Sequence, residues 1–492
     1  MADATLARYV SAKRVRRLAR GVYTPNLTDP LEEIVRRNLY QIVAILFPGA
    51  VVSDRSFIAG GPTADGDFFL IADRKADVSV APFTLRSEKG AGPQENDMPM
   101  PAGVFFASPA RGLLENARVT RARGSRPART LTQAELEQWL EKELDGRGEH
   151  GLRRLREQAR TLAPKIGAEK QLKQVDALIG AVLGTRTLAA RSALLRARQE
   201  GLPYDERRIT LFRLLRDALR AQAHISLPAA PEDNREKTLP FFEAYFSNFI
   251  EGTEFPLEEA IEIVYEGNIP ASRPQDAHDI IGTYQIVSDA HEMRHVPADA
   301  DEFIELLRSR HARMLERRPE VQPGVFKQEP NRAGGTLFVL PDRVLGTLVK
   351  GFDVYRELPD APFARAVVIM FLVSEVHPFN DGNGRIARVM MNAELASASE
   401  ERIIVPQACR NDYLGALRTL SHTDSPESLS RVLSAQQRFT HSIDFGSLES
   451  AIAALEAKGA FLDPIEAGFG RGGFDIVGHA QRAAGRKSAR DD

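Results

Sequence analysis

The sequence contains very little cysteine and no long apolar segment, and both scarcities narrow the kind of protein that it encodes. Its single cysteine, Cys409, excludes a disulfide within the chain and fits a reducing compartment. No run of about 18 apolar residues occurs, so we expect no membrane-spanning helix and no membrane partner. The first residues, Met1-Ala2-Asp3, lack the basic and then apolar pattern of a signal peptide. These features together predict a cytoplasmic protein.

The sequence also has no large excess of positive or negative charge. The 65 Lys and Arg residues nearly balance 67 Asp and Glu residues, so the chain as a whole has no general attraction for nucleic acids. There is no P-loop, no G-x-S-x-G motif and no fixed-period repeat. Hydrophobic residues make up 43% of the 492 positions, which is typical of globular domains with real cores.

The most informative segment is residues 377–388, which read His-Pro-Phe-Asn-Asp-Gly-Asn-Gly-Arg-Ile-Ala-Arg. An apolar run of helical length, residues 361–376, precedes it, and a second helical pattern follows. The segment is therefore predicted to be a loop whose glycines open the second helix. The first turn of a helix has unpaired N–H groups and favours negative charge. Because glycines let the backbone approach an anion closely, this pattern predicts a phosphate-binding site.

The charged residues of this segment suit the same chemistry. Arg385 and Arg388 lie one helical turn apart, so both can face one ligand. Asp381 offers a hard oxygen ligand for Mg²⁺ shared with phosphates. His377 can accept a proton near neutral pH. A base, a metal ligand and an anion site together indicate transfer of a phosphate-containing group.

The segment resembles the signature of the Fic family, H-x-F-x-[D/E]-G-N-G-R-x-x-R, at every fixed position. The resemblance implies an enzyme, a protein adenylyltransferase that moves AMP from ATP, with Mg²⁺, to a Tyr, Ser or Thr hydroxyl. The family branch that phosphorylates has Lys where this chain has Gly384, which disfavours that reaction. By resemblance, the site residues are the base His377, the metal ligand Asp381, the phosphate-binding Gly382, Asn383, Gly384 and Arg385, and Arg388, which holds the γ-phosphate.

A second segment, Ser247-Asn248-Phe249-Ile250-Glu251-Gly252, resembles the inhibitory motif [S/T]-x-x-x-E-[G/N] of Fic proteins. Its position upstream of the signature implies the class whose inhibitory helix lies N-terminal to the catalytic core. The resemblance implies that Glu251 pairs with Arg388, the arginine that the γ-phosphate needs. The alternative is an ordinary surface helix that ends at Gly252.

Two further features of the catalytic region fit the family. Residues 325–327 and 336–339 are rich in β-forming residues and are separated by Pro, Asn and Gly, which predicts a hairpin. Fic proteins carry such a flap, which aligns the target segment by strand addition. In relatives, a tyrosine at the position of Tyr413 contacts the adenine. The alternative for Tyr413 is a core aromatic on an amphipathic helix, and the sequence does not decide between the two.

One short motif points to a different chemistry. His291-Glu292-Met293-Arg294-His295 matches H-E-x-x-H, in which two histidines on one helix face bind zinc in metalloproteases. Pro297 follows closely and is expected to end the helix, and no third ligand follows at a familiar spacing. We therefore favour a polar, exposed helix end, and for Cys409 a small core residue rather than a nucleophile.

The N-terminal region indicates a second function. Basic residues are frequent between Ala7 and Tyr23, and the string 18–24 looks like a recognition helix leading into a β wing. Together with residues 105–115, it resembles AbiEi-type antitoxin regulators, which bind DNA through a winged helix. Other expected elements are one helix over residues 31–47, strands at 51–53, 68–71 and 78–80, a basic linker over 118–129 and a capping box at Thr132.

The expected fold is mainly α, with a Fic-type catalytic domain and its hairpin flap after a helical region and a small α/β, winged-helix-like domain. The alternatives are a DNA-binding, antitoxin-like regulator with a secondary Fic region, or an enzyme that removes AMP. The expected partner is a protein with a hydroxyl side chain; self-modification and a homodimer are compatible with the sequence. The predicted divisions are 1–125 (α/β), 130–225 (helical connection), 238–445 (Fic catalytic domain) and 465–492 (flexible tail).

Overall fold

The computed structural model describes residues 8–122, 128–222, 224–230, 235–358 and 360–464. The chain forms two compact units that divide between Gly201 and Leu202. Within the described residues, no helix is both long and apolar enough to cross a bilayer. The predicted tail, 465–492, lies outside them, and the four predicted divisions of the chain stay predictions.

The first unit contains a hairpin and a mixed six-stranded sheet. The hairpin pairs β1 (Arg16–Ala19) with β2 (Val22–Thr24). The sheet order is β5-β6-β4-β3-β8-β7, with β4 parallel to β6, β3 parallel to β8 and the other pairs antiparallel. The strands are β3 (Val51–Val52), β4 (Asp67–Ala72), β5 (Ala76–Val80), β6 (Phe83–Lys89), β7 (Met98–Pro99) and β8 (Phe105–Phe106).

The sequence predictions for this sheet are largely confirmed, and two local predictions are wrong. Residues 18–24 form the β1–β2 hairpin and not a helix leading into a wing. Residues 31–47 form two helices, Leu31–Arg37 and Leu39–Leu46, which separate at Asn38. The Asn38 amide donates to the carbonyl of Ile34 at 2.7 Å, and such side-chain bonds compete with the helical ladder.

Helices make up the rest of the first unit. The predicted capping box is confirmed, because Thr132 and Glu135 bond reciprocally at the start of the longest helix. Leu140, Leu155 and Ile179 are among the apolar residues packed between the long helices. The helices are Arg55–Ala59, Pro109–Asn116, Gln133–Ile166, which Gly148 interrupts, Glu169–Val182 and Ala193–Gln199, and a 3₁₀ turn spans Pro101–Gly103.

The predicted basic linker is partly built into the first unit. Arg118 and Arg129 both pair with Asp54, whose side chain is fully buried. These two arginines therefore neutralise a buried carboxylate, and buried charges are stable only when they are paired in this way. Residues 123–127 of the linker lie outside the described residues.

The regular structure in the described residues of the second unit is helical apart from a short hairpin, so the predicted mainly α fold is confirmed. Its centre is the helix Pro362–Val376, which is buried along nearly its whole length. The hairpin pairs β9 (Arg332–Ala333) with β10 (Thr336–Leu337) and is shorter than predicted, since residues 325–327 are not in a strand.

Helices and short helical turns make up the other elements of this unit. The α-helices are Glu206–Ala221, Arg235–Ile250, Leu257–Ile261, Pro274–Val287, Ala290–Arg294, Ala300–Met314, Val344–Arg356, Asn383–Ser397, Arg410–Thr423, Glu427–His441 and Leu448–Ala457. A π-helical turn spans Glu262–Glu266, and 3₁₀ turns span Pro319–Val321, Pro341–Arg343 and Gln407–Cys409.

Candidate active site

The signature segment is a loop between two buried helices, as predicted. The first helix ends at Val376, and His377 follows in the left-handed conformation with φ 52°. Few residues other than glycine adopt this conformation, so the surrounding structure must hold it. The turn aims the imidazole at Phe338, with ring centroids 3.8 Å apart and planes within 3°.

Burial controls the protonation of His377. The ring is half-buried, and loss of solvent lowers its pKa to about 4, although the carbonyl of Ser374 opposes the shift. The imidazole is therefore neutral at pH 7. A neutral imidazole has a free lone pair and can take a proton from a hydroxyl group.

The second helix, Asn383–Ser397, begins within the glycines of the signature, as the sequence predicted. Gly382 precedes it with φ 72°, a left-handed conformation that favours glycine. The Asn383 side chain accepts from the Phe379 amide and donates to the Phe379 carbonyl, both at 2.8 Å. Asn383 thus closes the loop with its side chain, and the backbone N–H groups of the first helical turn remain to face a ligand.

Asp381 fits the predicted metal ligand. Its side chain is 44% exposed; one carboxylate oxygen accepts from the Gly382 amide at 2.7 Å, and the other lies 3.5 Å from Arg385 and 3.6 Å from Arg318. Mg²⁺ in phosphate-transfer sites binds one or two carboxylates, water and substrate phosphates. An exposed carboxylate beside a helix start where phosphate is expected matches that set of ligands.

The two arginines of the signature face different partners. Arg385 is buried, pairs with Asp279 and lies 3.2 Å from the Asn248 side-chain oxygen. Arg388 lies 2.7 Å from a carboxylate oxygen of Glu251, and its Nε donates to the Ser247 hydroxyl at 2.9 Å. Arg388 therefore brings together two residues that are distant in sequence, since Glu251 precedes it by 137 positions and Ser247 by 141.

Glu251 also covers the start of the signature helix. A Cβ atom added to Gly384 would lie only 2.1 Å from the Glu251 carboxylate oxygen. The carboxylate therefore contacts the backbone of the first helical turn, where an anionic ligand is expected to bind. Glu251 supplies a negative charge from within the chain at this position.

Tyr413 is a core residue in this structure. It is 1% exposed, and its ring lies under the Arg388 guanidinium at 5.8 Å. Its hydroxyl donates to the Met370 sulfur at 3.4 Å. The geometry favours the core alternative, with the ring supporting Arg388 from below.

Two residues that contribute to this site were not predicted from the sequence to belong to it. Asp279 is buried and pairs with both Arg385 and Arg318. His311 is fully buried and stacks on Phe379 with centroids 3.6 Å apart. Each precedes the signature by more than 60 residues, and neither belongs to a motif that marks it in the sequence.

His311 fixes the loop at Asp381, the predicted metal ligand. Its Nδ1 accepts from the Gly324 amide at 2.9 Å, so its Nε2 carries the proton and donates to the Asp381 carbonyl, also at 2.9 Å. Burial lowers the pKa of His311 to about 4, which keeps the ring neutral and preserves this arrangement near pH 7.

The H-E-x-x-H segment makes structural contacts. Glu292 pairs with the buried Arg310 at 2.8 Å, and His295 lies 2.8 Å from Glu302. Among the described residues, no group of three or more His, Cys, Asp and Glu side chains is arranged to hold a metal ion. Cys409 is buried, and burial raises the pKa of its thiol well above the usual value, as expected for a core residue.

Comparison with known proteins identifies relatives of this chain. A model of the Fic/DOC family matches residues 301–395. A Fido domain-containing protein of Dictyostelium discoideum is 31% identical over 102 residues, which are 20% of this chain and 71% of that protein. Protein adenylyltransferase Fic of Drosophila yakuba is 27% identical over 227 residues, which are 45% of this chain and 44% of that protein.

A solved fragment of Fic-1 from C. elegans is 19% identical and covers 65% of this chain and 98% of the fragment, with a TM-score of 0.36. The chain spans less than half of the length of the Drosophila adenylyltransferase that it matches. The family match includes the whole signature. It does not include the inhibitory motif, because it begins at residue 301 and the motif ends at Gly252.

Proposed function

Because this chain belongs to the Fic/DOC family, we propose that it is a protein adenylyltransferase that moves AMP from ATP to a hydroxyl of a target protein, and that Glu251 restrains it. The observation that carries the proposal is the position of the Glu251 carboxylate. It pairs with Arg388 and lies against Gly384, at the helix start where phosphates are expected.

The proposed reaction joins the target oxygen to the α-phosphorus and breaks the bond from that phosphorus to pyrophosphate. His377 takes the hydroxyl proton, which its neutral imidazole is able to accept. The first turn of the helix Asn383–Ser397 and Arg385 bind the phosphates. Asp381 would hold Mg²⁺, which neutralises phosphate charge when bound.

Restraint by Glu251 follows from competition for one arginine. In the proposed active arrangement, Arg388 holds the γ-phosphate and so directs the α-phosphorus toward His377. A carboxylate 2.7 Å from Arg388 neutralises that charge and repels the incoming phosphate. Catalysis depends on the orientation of bound groups, so ATP that binds beside Glu251 reacts slowly.

Removal of Glu251 should therefore release activity. We expect Glu251→Gly to label itself or a lysate protein with α-labelled ATP roughly ten- to a hundredfold faster than wild type, the equivalent of about 1–3 kcal/mol. The measurement is incorporation of label into protein over time at saturating ATP and Mg²⁺. His377→Ala in the same background should abolish the signal while ATP binding persists.

Glu254→Gly is a matched control, because Glu254 is an exposed carboxylate three residues farther on. It should leave labelling at the wild-type level. Glu251→Gly combined with Arg388→Ala should fall back toward silence, since the released arginine is then absent. A folded Glu251→Gly protein that binds ATP and labels nothing above wild type would contradict the proposed function.

A further inference from the structure

The backbone of the catalytic loop is held by two residues of the flap, which we define as residues 327–339. Lys327 and Asn331 together donate to four consecutive carbonyl groups around His377. Lys327 donates from Nζ to the carbonyl of Val376 at 3.4 Å and from its amide to that of Pro378 at 2.9 Å. The Asn331 amide group donates to the carbonyls of His377 at 3.3 Å and Phe379 at 3.0 Å.

The two side chains orient each other. Lys327 Nζ donates to the Asn331 side-chain oxygen at 2.6 Å, which turns the NH₂ group of Asn331 toward the loop. Lys327 is 1% exposed, and burial, with a smaller contribution from the charge of Arg208, lowers its pKa to about 7. Its amine donates hydrogen bonds in either protonation state, so the contact does not depend on its charge.

The loop needs such support because of the backbone conformation of its base. His377 has φ 52°, which costs on the order of 1 kcal/mol or more for a residue with a side chain. A buried carbonyl without a partner would add to this cost. Lys327 and Asn331 remove that second penalty at the carbonyls of Val376, His377 and Pro378, and they add a second donor to the Phe379 carbonyl, which Asn383 also contacts. These hydrogen bonds fix the backbone from which the imidazole projects.

The same flap also contacts the imidazole directly. Phe338 stacks on the His377 ring, and the neighbouring carbonyl of Leu337 accepts from Arg208 at 2.8 Å. His377 is thus held by one end of the flap through its backbone and by the other end through its ring. Movement of the flap would change both contacts together.

We propose that Lys327 and Asn331 are positioning residues that couple the flap to the catalytic base, holding the 376–379 backbone so that His377 points into the site. The proposal rests on the proposed function for its effect on rate. It also predicts a change at His377 that can be measured without any turnover.

The decisive variant is Asn331→Asp, which keeps the size of the side chain and its contact with Lys327 but replaces the NH₂ donors by an oxygen. In the Glu251→Gly background, we expect self-labelling to slow by about tenfold or more, with ATP affinity unchanged within about twofold. In ¹H–¹³C spectra of the full-length protein labelled at histidine, the His377 signal should shift. The His377→Ala spectrum assigns that signal.

Asn331→Ala removes the same donors without adding charge and provides a second test if Asn331→Asp does not fold. Glu329→Gln is the matched control, because Glu329 is exposed between the two positioning residues, and it should change neither rate nor spectrum. The proposal is overturned if folded Asn331 variants leave the His377 signal in place, or if labelling and ATP affinity fall in parallel. If Glu251→Gly itself never labels, the proposed function fails, and the spectra still decide this inference.

Discussion

At the scale of single residues, burial prepares two histidines for different tasks. His311 and His377 both have a pKa near 4 because the protein removes solvent from their rings. His311 has both nitrogens engaged with backbone groups, so it is a structural contact for the loop. His377 has only a weak contact from Nδ1 to the Ser374 carbonyl at 3.3 Å, which leaves Nε2 for chemistry.

This difference gives a prediction for the pH dependence of labelling. A folded pKa of about 4, below the ordinary 6.5, means that His377 loses its proton at lower pH and is a competent base throughout pH 5.5–8. The rate of Glu251→Gly self-labelling at saturating MgATP should vary less than about threefold across that range. An ordinary histidine, with a pKa of about 6.5, would lose about tenfold between pH 8 and pH 5.5, and that result would contradict the assigned environment.

At the scale of elements, two helices outside the signature hold its charged groups. Pro274–Val287 carries Asp279, which pairs with Arg385 of the signature helix. Arg235–Ile250 carries Ser247 in its last turn, and the Ser247 hydroxyl accepts from Arg388 Nε. The first helix fixes Arg385 in the core, whereas the second ends beside Glu251 and engages Arg388, which we propose to bind the γ-phosphate.

Asp279 should therefore affect the reaction without touching the nucleotide. In the Glu251→Gly background, Asp279→Asn should slow labelling roughly ten- to a hundredfold, because Arg385 loses the partner that orients it. Initial rates of labelling, taken below the temperature at which either protein begins to unfold, provide the measurement. Asp276→Asn, which breaks a half-exposed pair with Arg273 on the same helix, should behave like its parent. Equal losses in both variants would exclude a specific role for Asp279.

At the scale of the whole molecule, the proposed nucleotide site lies entirely within the second unit. Each unit has many contacts of its own and divides from the other at Gly201. Ligand that binds only the folded state stabilises the part that it contacts, by about 2.7 kcal/mol at a hundredfold excess over Kd. The consequence should be visible as local protection from hydrogen exchange.

We expect ATP with Mg²⁺ to slow amide exchange in peptides from 202–464, most strongly around residues 377–397, and to leave peptides from 8–201 unchanged. Mass spectrometry of the full chain with and without nucleotide measures this. Asp381→Ala should reduce the protection, since it removes the proposed metal ligand. Equal protection in both units would show that the binding site is not confined to the second.

The sequence by itself determined the parts of this protein that are local. The signature needs only residues 377–388, because its glycines, its base and its arginines act within one loop and one helical turn. The capping box at Thr132 and the apolar helix that precedes His377 were also predictable, since each depends on neighbours three or four positions away. Asn38 split a predicted helix because its side chain bonds locally in a way that periodicity does not reveal.

Only the tertiary structure decided which distant residues complete the site. Asp279, His311 and Asn331 are ordinary residue types without a diagnostic spacing, and folding alone places them against Arg385, Asp381 and the His377 backbone. The prediction of a recognition helix over 18–24 failed for a local reason, because the chain turns at Arg20-Gly21, where Gly21 has φ 81°, and the flanking residues pair as a hairpin. Hydrogen bonds and ion pairs between remote segments depend on packing, and a single sequence records composition and order but not proximity.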